Sequence, residues 1–148
     1  TDVASMCKLG FDIGLKEMSA DELQYCQTAV SNWKRLNPAI MDGDQYRLVS
    51  PYESNHMAVN YVSKDKNKAV LFAYDINPRF HEKLMNVKLQ GLDANKMYKV
   101  EEINLMPGTE SQFKANGKTF TGDYLMKVGL EVFGFKHLQS HVIEITAK

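Results

Sequence analysis

The apolar residues of the chain change their spacing near residue 45. Before that point one long helix is predicted, because Ser19 and Glu22 have the spacing of a capping box, in which each side chain accepts the other residue's backbone N–H. Four apolar residues then recur at steps of three and four positions, namely Leu23, Cys26, Val30 and Trp33. A helix with one such stripe must pack its apolar side against another surface.

The two ends of this helical region are predicted from different signals. The helix should stop at Asn37, because a residue that precedes proline avoids helical backbone angles, and "PAIMDG" should form a further short turn. Residues 1–15 fit no single period. There we expect a short helix or turn, followed by a buried strand at residues 9–13.

From Gln45 onward the period is two, which is typical of strands. The strand-like segments are "MAVNYVS" (57–63), "KAVLFAYD" (68–75), "MNVKLQG" (85–91), "MYKVEEINL" (97–105), "YLMKVGLEVF" (124–133) and "HVIEITA" (141–147). The first two should form a hairpin across "KDKNK", and Asn116-Gly117 is typical of a type I′ hairpin turn. No convincing helix is found here, so the pattern predicts a mainly β fold, an antiparallel two-sheet sandwich or a barrel.

Bulk composition narrows the classes of partner. The 148 residues hold 18 basic and 18 acidic side chains, so the formal net charge is zero. This balance argues against a nucleic acid or an anionic membrane as partner, because both require a basic surface. No apolar run is long enough to cross a bilayer. The chain begins with Thr1 and looks trimmed, so targeting signals cannot be judged.

Candidate catalytic and ligand motifs are incomplete. "NGKT" at 116–119 resembles the end of a phosphate-binding loop, but Gln112 stands where that loop needs glycine. His137 and His141 are four apart, yet they lead into a strand and lack a third metal ligand. We interpret all the histidines as satisfied surface or half-buried residues. Cys7 and Cys26 are interpreted as half-buried thiols, with a bridge left open.

The remaining acidic and aromatic residues give no site either. "DGD" at 42–44 lacks the ligand succession of a calcium loop, and Glu101 and Glu102 should point to opposite faces of a strand. The tyrosines are expected to pack in the core or sheets, although exposed ones could stack on sugar rings; they are Tyr46, Tyr52, Tyr61, Tyr74 and Tyr98. We therefore assign no catalytic, cofactor-binding or metal residue.

Several segments in order resemble one enzyme family. They are "KLGFDIGLKEMSADELQYCQTAVSNWKRL", "GDQYRLVSPYES", "KAVLFAYD", "VKLQGLD", "INLMPG" and "GDYLMKVGL". Together they are similar to the C-terminal end of alpha-galactosidases of glycoside hydrolase family 36. The most specific piece comprises Gly43, Asp44, Tyr46, Arg47, Leu48, Ser50 and Pro51.

This resemblance implies a division of the chain. Residues 1–44 would be the last strand and last helix of a (β/α)8 barrel, and residues 45–148 would be a C-terminal antiparallel β-sandwich domain. The family cleaves terminal α-galactosyl groups with retention, using two aspartates on earlier barrel strands, and needs no cofactor. No aspartate here matches those motifs, so the chain should be inactive alone. Its expected partner is the missing catalytic barrel of the same, longer chain, which we call the parent. The galactoside substrate would be bound by the parent.

Other readings stay open at this stage. The β-domain could support the barrel and contribute homo-oligomer contacts, it could bind carbohydrate by itself, or it could be a generic interaction domain. The stripe of Leu23, Cys26, Val30 and Trp33 should fold back onto the β-domain or contact another copy, because an exposed apolar face promotes association.

Overall fold

The structure, a computed structural model, describes residues 1–12, 14–134 and 136–148. The helices are α1 (Asp2–Ser5), α2 (Ala20–Met41) and α3 (Gly122–Lys127), with a 3-10 turn at Leu15–Glu17. The strands are β1 (Asp44–Val49), β2 (His56–Val62), β3 (Lys68–Asp75), β4 (Met97–Ile103), β5 (Thr119–Thr121) and β6 (Gln139–Ala147). The mainly β architecture and the change of period near residue 45 are thus confirmed.

All six strands belong to one antiparallel sheet with the order β1-β2-β3-β6-β4-β5. The predicted hairpin of β2 and β3 is confirmed, and its register pairs His56 with Asp75 and Val62 with Ala69. The last strand, β6, enters between β3 and β4, so the C-terminal segment completes the centre of the sheet. Both faces of the central strands are buried, which matches their nearly continuous apolar sequences.

A second sheet is not confirmed among the described residues. The face of the sheet opposite α2 is covered by α3 and by irregular segments, in which the backbones of Val87 and Leu130 form an isolated β-bridge. The segment at 85–91, predicted as a strand, forms only this single bridge, so the prediction is wrong. It contributes the buried side chains of Val87 and Leu89 to the core. The layer that covers this face is therefore built from loops and a short helix.

The prediction of no helix in the second half is wrong. Residues 122–127 form α3, because the Thr121 hydroxyl accepts the N–H of Tyr124 at 3.1 Å and caps the first turn. Asp123 and Lys127 form an i,i+4 ion pair of 2.8 Å along it. Leu125 of this helix is fully buried, so its packing in the core stabilises α3 in addition to the cap.

The capping box of α2 is confirmed, but the predicted end of this helix is wrong. Ser19 and Glu22 bind reciprocally, and the helix runs through Pro38 to Met41. A proline inside a helix costs about 3 kcal/mol. Full burial of one large aliphatic side chain contributes about 1.5–3 kcal/mol. Leu36 and Ile40 are both buried against the sheet, so packing outweighs the proline.

The predicted apolar stripe is not the face that packs on the sheet. The buried residues of α2 are Ala29, Leu36, Ala39 and Ile40, on an adjacent stripe. Leu23 is 37% exposed, and Cys26, Val30 and Trp33 are half-buried. The helix therefore carries two apolar stripes, of which the sheet covers one. This outcome leaves the prediction of a further partner for the outer stripe untested.

Two further local predictions are corrected. Residues 9–12 form no strand, and Ile13 lies outside the described residues. Gly117 has a φ of 74°, but Asn116 is not left-handed and residues 104–115 form no strand, so the two residues form a turn and not a type I′ hairpin.

Candidate functional site

Four ionisable side chains meet inside the protein at one end of the sheet, and we call them the ionic cluster: His56, Asp75, Glu102 and His141. Nδ1 of His56 donates to Asp75 Oδ1 at 2.8 Å. Nδ1 of His141 donates to Glu102 Oε1 at 2.6 Å, and its Nε2 lies 3.8 Å from Asp75 Oδ2. The backbone N–H of Gly134 donates to the same Asp75 oxygen at 2.9 Å.

The cluster is buried, and its charges determine one another's ionisation. Burial alone lowers the pKa of His141, but the carboxylates of Asp75 and Glu102 outweigh burial and raise this pKa to about 9. Burial alone raises the pKa of Glu102. Hydrogen bonds from His141 and Ser111 outweigh it, so the pKa of Glu102 lies below its ordinary value. At neutral pH a protonated His141 therefore lies between two carboxylates.

This arrangement is unsuited to cleaving a glycosidic bond. A glycosidase needs two carboxyl groups that flank its substrate. Asp75 has no exposed surface, Glu102 is enclosed, and both face His141. His56 stacks on Phe133 with ring centroids 4.5 Å apart, which closes the other side of the cluster. Within the described part of the chain, no group of three His, Cys, Asp or Glu could hold a metal ion.

The ionic cluster was not predicted from the sequence. Glu101 and Glu102 point to opposite faces as predicted, since Glu101 is exposed and binds Lys99 at 2.6 Å. His137 is exposed, but His56 and His141 are buried, so their interpretation as surface or half-buried residues is wrong. One signal was available: Asp75 ends the continuous apolar run of β3, where a buried charge needs a partner.

The other sequence candidates do not converge on a site. Asp42 and Asp44 are exposed, and Asp44 forms a surface ion pair with Lys64. Asn116 is used structurally, since its side-chain oxygen accepts the backbone N–H of Glu102 at 2.8 Å. Cys7 and Cys26 are free thiols.

The tyrosines mostly pack as predicted. Tyr61, Tyr74 and Tyr98 are buried and Tyr46 is half-buried, whereas Tyr52 is 97% exposed. Core or sheet packing is therefore confirmed for four of the five and wrong for Tyr52. The buried tyrosines of the sheet offer no planar surface for stacking on a sugar ring.

A concave surface lies where α1 and α2 meet the sheet end. The cavity there has a volume of about 430 Å³, and Val3, Tyr25, Tyr74 and Leu138 are among its lining residues. The Tyr74 hydroxyl is buried and has no hydrogen-bond partner among the described residues, and burial raises the pKa of Tyr74. A buried hydroxyl without a partner is costly, so this cavity favours an incoming polar group.

Specific contacts hold α1 beside this cavity. The Asp2 carboxylate accepts hydrogen bonds from Asn104 at 3.0 Å and from Ser140 at 2.6 Å. Trp33 on the outer stripe of α2 donates from its indole N–H to the Cys7 carbonyl at 3.1 Å. Residues before α2 are thereby attached to the same sheet end.

No helix among the described residues has the length and apolarity required to cross a membrane.

Comparisons with known proteins bear on this architecture. The sequence model of the "Glycosyl hydrolase family 36 C-terminal domain" matches residues 56–145. The chain is 30% identical over 122 residues to "Probable alpha-galactosidase G" of Aspergillus terreus, a match that covers 82% of this chain and 15% of that protein. It is 31% identical over 122 residues to "Alpha-galactosidase 2" of Hypocrea jecorina, covering 82% of this chain and 14% of that protein.

A solved structure shares the same fold over nearly the whole chain. The "GH36 alpha-galactosidase AgaB from Geobacillus stearothermophilus" superposes with a TM-score of 0.82 at 24% identity, covering 99% of this chain and 18% of that one. The match thus spans only about one seventh of the length of the curated relatives.

Proposed function

The chain belongs to glycoside hydrolase family 36, whose C-terminal domain it contains, and from this premise we propose that it is the non-catalytic C-terminal region of a retaining alpha-galactosidase. The parent would hydrolyse terminal α-galactosyl groups. This region would support the fold of the catalytic barrel. The match over residues 56–145 carries the proposal.

The described acidic residues support a role without catalysis. Retaining cleavage uses a nucleophile and an acid–base, whose carboxyl groups lie about 5 Å apart and face the substrate. The buried acids of this chain, Asp75 and Glu102, are instead engaged with His141. In the parent, the two catalytic aspartates would lie on strands of the barrel upstream of Thr1.

A division of the chain at residues 44 and 45 remains part of this proposal. Residues 1–44 would complete the barrel, with α2 as its last outer helix. The half-exposed outer stripe of α2 supports this assignment, because one side of the helix packs on the sheet and the other remains available. Residues 9–12 would become a strand only beside other barrel strands, which supply the missing hydrogen bonds.

The activity of purified protein tests this function. We expect the 148-residue chain to release no nitrophenol from p-nitrophenyl α-galactoside, whereas the parent, obtained from the coding sequence upstream of Thr1, should hydrolyse it with retention of the anomeric configuration. In the parent, Asp75→Asn should lower the melting temperature and leave kcat nearly unchanged. Turnover by the short chain, or a parent without the two barrel aspartates, would contradict the proposal.

A further inference from the structure

The two ends of the sheet differ in the character of their exposed residues. At one end, which we call the apolar end, β1, β3 and β4 finish and β2 and β6 begin. The four most exposed large apolar side chains of the described residues are Tyr52 (97%), Phe80 (89%), Leu138 (87%) and Val3 (65%). All four lie in α1 or in the connections at the apolar end. The opposite end includes the charged turn "SKDKN" between β2 and β3.

Phe80 is held in its exposed position by an ordered loop. The Glu82 carboxylate accepts the backbone N–H of Arg79 at 3.0 Å and the Asn55 amide at 3.2 Å. His81 has a φ of 63°, an unfavourable conformation for a residue with a side chain, and its ring lies 4.1 Å from that of Phe80. Such a fixed and exposed aromatic residue is typical of a contact surface.

The apolar end continues into the cavity beside α1. Val3 and Leu138 line that cavity together with Tyr25 of α2, and the Tyr74 hydroxyl is buried there without a partner. Thr1 also lines this cavity, so a residue that preceded it in a longer chain would lie at the same surface. A cluster of exposed apolar side chains beside a cavity is typical of an interface.

We propose that the apolar end is the surface on which the upstream part of the parent chain packs, with Phe80 and Leu138 as apolar contacts and the Tyr74 hydroxyl bound to a polar group of that part. The inference rests on the proposed function, which places a catalytic barrel upstream of Thr1. Two observations favour this occupant: the position of Thr1 at the surface, and the matched relatives, in which most of the chain lies outside this region.

Methionine oxidation in the short chain and in the parent tests the proposal with a built-in control. Met97 and Met106 are 43% and 42% exposed. Met97 is the first residue of β4, whereas Met106 follows the last residue of that strand by three positions, in the connection that leaves it at the apolar end. With dilute hydrogen peroxide, both should oxidise at similar rates in the 148-residue chain. In the parent, Met106 should oxidise several-fold more slowly while Met97 keeps its rate. Equal rates in the parent would overturn the proposal.

Two substitutions give a second readout. Phe80→Ser and Leu138→Ser should leave the unfolding midpoint of the short chain unchanged, because both side chains are exposed, and should lower the midpoint of the parent. Met97→Ser is the control and should not lower the midpoint of the parent. Protection of Met106 that appears in the short chain and grows with its concentration would identify a second copy as the occupant and overturn the proposal.

The parent's activity is measured separately, so the two proposals can fail independently. A parent with protected Met106 but no α-galactosidase activity would overturn the proposed function and support this surface. An active parent in which the Phe80 and Leu138 variants behave like the Met97 variant would overturn the surface alone.

Discussion

At the scale of single residues, His141 is the central charged group of the protein interior. Its ring lies between the carboxylates of Glu102 and Asp75, which come from β4 and β3. Hydrogen bonds from the Ser111 hydroxyl to Glu102 and from the Gly134 N–H to Asp75 extend the cluster into two connecting segments. A buried charge of this kind is tolerated only when its partners are complete, so the loss of one partner should be costly.

The ionic cluster should make stability depend on pH. The folded pKa of His141, about 9, exceeds its ordinary value of 6.5, so its stabilising contribution is complete below about pH 6.5 and is lost as pH rises through about 9. The pKa of Glu102 is depressed, so its contribution is lost as pH falls through the acid range. Urea unfolding between pH 6 and 10 should therefore show an alkaline loss on the order of 2 kcal/mol.

A matched pair of substitutions isolates this effect. His141→Gln should be less stable at pH 6 and should lose much of the alkaline dependence. His137→Gln removes an exposed histidine four residues away and should retain the dependence of the unchanged chain. If the two variants have the same pH profile, His141 is not the group responsible.

At the scale of elements, local contacts fix where α2 begins, whereas tertiary contacts fix where it ends. Its start is local, because Ser19 and Glu22 bind each other across one turn. Its end is tertiary, because the burial of Ile40 carries the helix past Pro38. The junction with β1 is tight: a Cβ at Gly43 would lie 2.1 Å from the Ala39 carbonyl oxygen, so only glycine fits there.

The capping box predicts a measurable loss for one hydroxyl. Ser19→Ala should lower the free energy of unfolding by about 1 kcal/mol, because the N–H of Glu22 loses its acceptor. Ser31→Ala, at an exposed position inside the same helix, should be neutral or slightly stabilising, because alanine has the higher helix propensity. Equal effects in chemical denaturation would show that the cap contributes nothing.

At the scale of the whole molecule, the sheet is covered on both faces by unrelated layers. One face packs against α3 and the irregular segments, and the other against the second half of α2. Arg35 of α2 forms an ion pair with Glu144 of β6, which fixes the helix across the sheet. Although α2 is proposed to complete a barrel, it also packs on the sheet of the β-domain, so we expect the two to fold together.

Truncation tests this shared role of α2. A fragment of residues 45–148 would expose the face that includes Val59, Phe72 and Val142, so we expect it to aggregate or to bind 8-anilinonaphthalene-1-sulfonate strongly and to lose cooperative unfolding. A fragment of residues 19–148 keeps α2 and should unfold cooperatively. Cooperative unfolding of the shorter fragment would show that the β-domain folds without its helix.

The sequence predicted the elements whose signals are local and missed those that depend on distant partners. The cap at Ser19 and the polar turn between the apolar runs of β2 and β3 lie within a few residues, so both were recognised. The enclosure of His141 depends on contacts with distant segments, so it was not recognised. The helix α3 was missed although its cap at Thr121 is local, because six residues are too few for a helical period to be seen in the sequence. The apolar end and the cavity beside α1 could not be predicted from the sequence, because they combine residues from α1, α2 and several connections.

By itself the sequence determined the family, the capped helix, the change to strands and the absence of any recognised catalytic motif, because each of these is written in residue types at short spacings. Only the tertiary structure decided that the strands form one sheet, that α2 continues through Pro38, and that the four most exposed large apolar side chains gather at one sheet end. These features depend on which distant segments share buried surface, and that choice is made by packing the whole chain at once.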